Sequence, residues 1–219
     1  VRERIDQMLD PGTFKEIGSI AGKASYDDKG NITEFMPGNC VFGRGLVDGR
    51  PVVIAGDDFT LRGGSADASI KGKPKMSEQL AAQFRMPIIR LIEGSGGGGS
   101  VKTIESTGYT YLPNLIGWDQ AVANLATVPV VALGLGPVAG LGAARLVTSH
   151  YSLLVKEQAQ MFVAGPPVVA AAGETLTKEE LGGSHIHAKN GAIDDEAASE
   201  DEAFAMCRSF LSYLPSSVH

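Results

Sequence analysis

A chain of 219 residues, 43 % of them hydrophobic, can bury a sizeable core in one large domain or two small ones. Its net charge of −6 argues against nucleic acid as the main partner, because phosphate binding needs a basic face. The only two cysteines, Cys40 and Cys207, cannot make a zinc site, no apolar run nears the roughly 18 residues of a membrane span, and no signal-peptide pattern opens the chain, so a reduced intracellular protein is expected.

Residues 1–19 predict a helix stopped at Asp10-Pro11-Gly12, then a short second helix. A Gly-rich β region follows over residues 40–65, where Val47-Asp48-Gly49-Arg50 joins two apolar runs as a hairpin turn would. A helix is expected from Ser77 to Arg85, and then PIIRLIE (87–93), whose length suits a buried strand. The run EGSGGGGSV (93–101) comes next, and taken alone it reads as a flexible linker. Beyond it lie a helix from about Gly117 to Ala126 and a second buried strand, VPVVALGLG (128–136). GPVAGLGAARLVTSH (136–150) then reads as a Gly-rich turn opening into a short helix, with a last strand at SLLVKE (152–157). In the tail, Thr177-Lys178-Glu179-Glu180 reads as a capping box stopped by Gly182-Gly183. Ser199 with Glu202 caps a final helix that ends near Tyr213, and both caps are structural.

Strand alternating with helix implies an α/β fold with parallel strands and helices packed outside. The glycine run sits inside this repeat, at the carboxyl end of a buried strand, where α/β folds bind ligands. Glycine there lets the backbone approach a ligand and aim N–H groups at it, so a site is expected rather than a linker.

Familiar catalytic patterns are missing: there is no G-x-S-x-G, H-E-x-x-H or Walker motif. GLGPVAG matches G-x-G-x-x-G only superficially, at Gly134, Gly136 and Ala139-Gly140. His185 and His187 would share a face on a strand, either as metal ligands or as a local hydrogen-bonding pair, and no third ligand is evident, so no metal is assigned. What remains is backbone chemistry in the turns at 94–99 and 136–142. The N–H groups of Gly140, Leu141 and Gly142 open a helix and could stabilise an oxyanion, or the small residues could serve close helix–sheet packing. Spacing alone leaves both open.

Several segments, in order, resemble one family: RERIDQMLDPGTFKEIG, GDDFTLRGGS, GPVAGLGAA, QMFVAGPPVV, GETLTKEELGG followed by SHIH, and SFLSYLPSS. Together they resemble the amino-terminal half of the carboxyltransferase (beta) subunit of biotin-dependent acyl-CoA carboxylases, of the propionyl-, methylcrotonoyl- and acetyl-CoA type. The resemblance implies a crotonase-like ββα superhelix over residues 1–219, with acyl-CoA bound on it and the carboxyl-terminal, biotin-side domain absent.

The family pattern G-P-C-A-G-G falls on Gly136-Pro137-Val138-Ala139-Gly140-Leu141, and the resemblance makes the N–H groups of Gly140 and Leu141 the oxyanion hole for the thioester. Leu141 replaces a family glycine, which keeps the donor but could narrow the acyl pocket. The family's D-S-G-G-A-R falls on Gly94-Ser95-Gly96-Gly97-Gly98-Gly99, so its acid and its arginine are both lost. Arg62, Gly63, Gly64 and Ser65 match a turn lining the CoA site, and Gly96, Gly97, Gly98, Gly136 and Ala139 complete the implied acyl-CoA surface. Lys71, Lys73 and Lys75 either meet CoA phosphates or lie on a solvated loop.

The implied reaction moves CO2 from carboxybiotin to the α-carbon of an acyl-CoA through an enolate. Biotin would arrive on a carrier protein, not bound covalently here. The implied partners are the carboxyl-terminal carboxyltransferase half and the biotin carboxylase and biotin carboxyl carrier subunits, in a homo- or hetero-oligomer. Neither nucleic acid nor membrane insertion is expected, and the location would be cytoplasmic or the mitochondrial matrix. Alternatives are a biotin-dependent acyl-CoA decarboxylase subunit, a non-enzymatic acyl-CoA scaffold, and a crotonase-type hydratase or isomerase. The last would need a carboxylate near the α-carbon, and Glu93 and Glu105 are the acids that bracket the loop.

Overall fold

The computed structural model describes residues 1–65, 68, 70, 72–94, 101–109 and 117–215. Helix α1 (Arg2–Met8) opens the chain and ends before Pro11 and the left-handed Gly12. The second helix expected in this stretch is instead a short strand, β1 (Lys15–Ile17). Three residues cannot sustain a helix alone. They pair antiparallel with β4 (Cys40–Val47), where Gly43 faces Glu16 and has no side chain to block the approach of the Lys15 carbonyl. Between them, β2 (Gly22–Tyr26) and β3 (Ile32–Pro37) form a separate two-stranded hairpin.

The hairpin predicted at Val47–Arg50 forms, joining β4 to β5 (Arg50–Asp57). Asp48 and Gly49 both take positive φ, 49° and 76°, as a two-residue primed turn demands. Asp10 braces it, accepting hydrogen bonds from the Asp48 N–H at 3.0 Å and the Gly49 N–H at 2.8 Å.

From β5 the chain runs in parallel strands. Helix α2 (Gly72–Phe84) leads to β6 (Ile88–Gly94). Next come α3 (Val101–Thr107), α4 (Trp118–Asn124), β7 (Val130–Ala139) and α5 (Leu141–Val147). β8 (Tyr151–Val155) and β9 (Gln160–Phe162) follow, then α6 (Pro166–Ala171), α7 (Lys178–Gly182) and α8 (Ser184–Asn190). β10 (Asp195–Ala197) and α9 (Glu200–Ser212) close the fold. Among the described residues the main sheet has the order β1-β4-β5-β6-β7-β8-β10, with β9 paired to the end of β7. β5, β6, β7, β8 and β10 are mutually parallel along this order.

Both faces of the sheet are covered, which explains why the middle strands read as unbroken apolar runs. Ile88 and Val130 pack under α2 and α4 with Val53, Ala81 and Val128. Ile89, Leu133 and Leu153 belong to the larger cluster that also takes in Ile5 of α1 and Phe204 of α9. Each such side chain contributes about 1.5–3 kcal/mol on full burial.

The capping box expected at Thr177 forms with Glu180, and the Ser199 side chain accepts from the Glu202 N–H. His185 and His187 lie on helix α8, not on a strand. Two residues along a helix turn through about 200°, so the pair cannot share a face. His187 Nε2 is 2.7 Å from the Met161 carbonyl, whereas His185 is exposed near Glu179.

Candidate functional site

Three backbone segments converge at the carboxyl end of β6. A Cβ on Gly94 would lie 2.7 Å from the Gly63 carbonyl oxygen, and one on Gly64 would lie 2.9 Å from that of Glu93. On the other side, a Cβ on Gly142 would lie 2.8 Å from the Gly94 carbonyl oxygen. The turn at Arg62–Gly64, the end of β6 and the start of α5 therefore meet backbone to backbone, and only glycine permits it. The sequence-derived residues Gly63 and Gly64 thus approach Gly94 directly, and Gly142, next to Leu141, meets its carbonyl.

The turn takes an unusual path: Arg62, Gly63 and Gly64 all have positive φ, at 52°, 60° and 69°. Arg62 is exposed, while Gly64 and Ser65 are buried. The Ser65 carbonyl accepts from the buried Asn39 side chain at 2.9 Å, so the Ser65 backbone braces the turn from inside.

At the second turn the structure changes the expected roles. The strand does not stop at Gly136 but continues to Ala139, because Pro137, Val138 and Ala139 pair with β9. The ladder consumes one donor, as the Gly140 N–H bonds the Phe162 carbonyl at 3.0 Å. Gly140 is thereby corrected as an oxyanion donor in this conformation, since its N–H is already spent. Its φ of 57° and ψ of −119° make the sharp exit into α5. The N–H of Leu141, the first helical residue, meets no acceptor among the described residues.

Gly136 is also corrected. It is buried, and a Cβ there would lie 2.3 Å from Glu93 Oε1, so a carboxylate covers the position assigned to substrate. Ala139 is half-buried beside the turn. Gly96, Gly97, Gly98 and Lys71 lie outside the described residues. Lys73 and Lys75 lie on helix α2, not on a solvated loop. Lys73 is buried, with Nζ 3.0 Å from the Gly18 carbonyl, which removes it from phosphate binding.

Three ion-pair systems frame the convergence, and sequence reasoning missed them. Arg145 of α5 donates to both oxygens of Asp57 at 3.0 Å. Arg90, in the middle of β6, is fully buried and donates to the two oxygens of Glu78 at 2.8 and 3.0 Å. Burial pushes the Arg90 guanidinium down from its ordinary value, and Glu78 opposes that shift. Asn124 Nδ2 donates to the same Glu78 carboxylate at 2.8 Å. On the opposite side, Arg4 joins Glu93 at 2.5 Å and Glu200 at 2.6 Å. A cavity of about 460 Å³ opens there, lined in part by Arg4, Asp57, Phe59, Glu93 and Glu200. One signal could have found the Arg90 system: a lone charge inside the apolar run PIIRLIE must have a buried partner.

Both cysteine thiols are pushed up to about 12, Cys40 by burial and then by Asp57, and Cys207 by burial. Neither is a nucleophile at neutral pH.

Comparison with known proteins agrees with this architecture. The chain is 34 % identical over 204 residues to the biotin-dependent 3-methylcrotonyl-coenzyme A carboxylase beta1 subunit of Mycobacterium tuberculosis, covering 92 % of this chain and 37 % of that protein. It is 31 % identical over 219 residues to the mitochondrial propionyl-CoA carboxylase beta chain of Sus scrofa, covering 98 % of this chain and 40 % of the relative. Among solved structures, transcarboxylase 12S, a hexamer with hydrolysed methylmalonyl-coenzyme A bound, superposes with a TM-score of 0.77 at 31 % identity, over 98 % of this chain and 41 % of that one. The chain therefore spans about 40 % of the length of the carboxylase subunit from Sus scrofa. Its fold is crotonase-like, as these neighbours' is. The family model for the carboxyl transferase domain matches residues 1–219, and with this agreement in sequence and fold the chain belongs to that family.

Proposed function

We propose that this chain is the acyl-CoA side of a biotin-dependent carboxyltransferase, which passes CO2 to the α-carbon of an acyl-CoA. The observation that carries the reading is the meeting of the 62–64 turn, the β6 end and the α5 start, within a chain matched to the family over its full length. Carboxybiotin would supply the CO2 and, after losing it, the base for the α-proton; no described residue of this chain is assigned to hold it.

In this reading the protein's own part is to bind and orient. The Leu141 N–H donates to the thioester oxygen as negative charge develops there. A fixed donor in a site closed to water needs no reorganisation during reaction. Arg62 and the backbone of Gly63 border the path of the CoA moiety. Glu93 is held by Arg4 and packs over Gly136, which disfavours its use as the base of a hydratase or isomerase. Glu105 is exposed on α3.

The partner is proposed to be the carboxyl-terminal half, together with biotin carboxylase and biotin carrier subunits, in an oligomer of the cytoplasm or mitochondrial matrix. Open apolar side chains support a covering partner: Tyr26, Ile32 and Phe35 on the β2–β3 hairpin, and Val163 and Val168 beside and within α6. Among the described residues, no helix is long and apolar enough to cross a membrane.

Calorimetry tests the reading: an acyl-CoA is expected to bind this chain and free biotin is not. Biotin bound as tightly as acyl-CoA would defeat it. A carboxylation assay with and without the complementary half, over a panel of acyl-CoAs, then tests the direction of the reaction.

A further inference from the structure

Helix α5 is two turns long and cannot hold its own position. It is fixed from outside at every level. Its entry is fixed by the Gly140 N–H on the Phe162 carbonyl, and its middle by Arg145 on Asp57. Its exit is fixed by Arg90, whose Nη1 donates to the carbonyl of Thr148 at 2.7 Å and to that of Arg145 at 3.3 Å. Two further carbonyls of the last turn are closed locally, Ala144 by the Thr148 hydroxyl at 2.7 Å and Leu146 by the Ser149 hydroxyl at 2.8 Å.

Arg90 is unlike the other anchors. Its side chain is fully buried in the middle of β6, so it cannot follow solvent or a ligand. The bidentate pair with Glu78 fixes the plane of the guanidinium, and Asn124 fixes the Glu78 carboxylate in turn. Strand β6, α2 and α4 are thus tied to the exit of α5 through one planar fork. The other end of this rigid helix, about 10 Å away, carries the Leu141 N–H.

We infer that Arg90 is a positioning residue: through α5 it sets where the Leu141 N–H points, and so how well the thioester oxygen is held. The inference rests on the acyl-CoA reading above. A lysine at position 90 keeps the charge but cannot hold Glu78 and Thr148 in one plane. A misplacement of about 1 Å at a catalytic group costs up to about 10²-fold in rate.

The test uses the carboxyltransferase that carries this chain, with its partner subunits. Arg90→Met alone would strand the Glu78 carboxylate and unfold the protein. Two variants avoid this, Arg90→Lys and the charge-free Arg90→Met/Glu78→Met, in which Asn124 keeps the residue-78 backbone carbonyl as acceptor. Both are expected to fold, and to lower kcat by about 10- to 10²-fold with KM little changed. The second readout is the thioester carbonyl stretch of bound acyl-CoA, by Raman difference spectroscopy. In the parent it should lie below its value in free acyl-CoA, and in both variants it should move back toward that value. If folded variants keep the parent stretch and the parent kcat, Arg90 only stabilises the fold and the inference falls. If the parent itself binds no acyl-CoA, the functional reading fails first and takes this inference with it.

Discussion

Replacing Gly94 by alanine probes the convergence directly. A Cβ at this position would sit 2.7 Å from the Gly63 carbonyl oxygen and 3.0 Å from the Gly64 Cα. Both neighbours are backbone, so no side chain can swing aside; the turn and the strand must separate by several tenths of an ångström. Gly94 also has φ of 100°, which costs an L-residue about 1–3 kcal/mol. Overpacking adds about 1–3 kcal/mol. The sum is about 2–6 kcal/mol, and each kcal/mol lowers Tm by about 2–4 °C in a protein of this size. Gly49→Ala is the control, because Gly49 has φ of 76° but nothing within 4 Å of its Cβ position. It bears only the backbone term, about 1–2 kcal/mol for an L-residue in the left-handed region. Thermal melting of both variants, with acyl-CoA titration of each, reads the difference. Gly94→Ala should melt well below Gly49→Ala and lose ligand affinity, while Gly49→Ala keeps it. Equal melting temperatures would mean that the 62–64 turn and the end of β6 are not in backbone contact.

Leu141→Pro removes the proposed donor at a first helical position that tolerates proline, so the variant should fold. It should lose about 10²–10³ in kcat in the assembled enzyme, and an unchanged rate would return the turn to a packing role. Asp10 should contribute to acid stability, because its carboxyl is held below the ordinary aspartate value of 3.8, chiefly by the Gly49 N–H and less by the Asp48 N–H and Arg208. Its contribution is full above that ordinary value and is lost as pH falls through the lower folded value. Asp10→Asn should therefore flatten the acid limb of a stability–pH curve, and identical limbs would contradict this. Cys40 and Cys207 should resist a thiol reagent at pH 8 in the folded protein and react on denaturation, because both thiols are pushed up to about 12. Rapid labelling of the native chain would count against their burial.

Much of the fold was legible because its signals are local. Asp48-Gly49 specifies a primed turn by its own backbone preference, and the turn is present. PIIRLIE and VPVVALGLG are short and apolar throughout, and both became central strands buried on both faces. The errors occurred where pairing partners lie far away in sequence. Lys15–Ile17 is a strand because Gly43 faces it, and nothing within residues 1–19 records that. SHIH is helical because it follows a capped turn and packs on β9, although its His-x-His spacing suits a strand equally well.

The candidate site was legible in outline, but one of its two expected donors, the Gly140 N–H, is already bonded in the structure, for one physical reason. Sequence shows that GPVAGL ends a strand and begins a helix, but the donor count depends on the residue at which pairing stops. Pairing of Pro137–Ala139 with β9 carries the ladder three residues past Gly136 and takes the Gly140 N–H with it. A shift of one residue in that boundary decides which amide faces substrate. The same reasoning bears on the ion pairs. Arg90 and Glu78 are 12 residues apart, on a strand and a helix whose packing alone brings them together. Their cost of burial makes them a poor means of adding stability. A bidentate pair retained in the interior is better explained by what it fixes in space, and what this one holds is the exit of α5, whose entry carries the candidate donor.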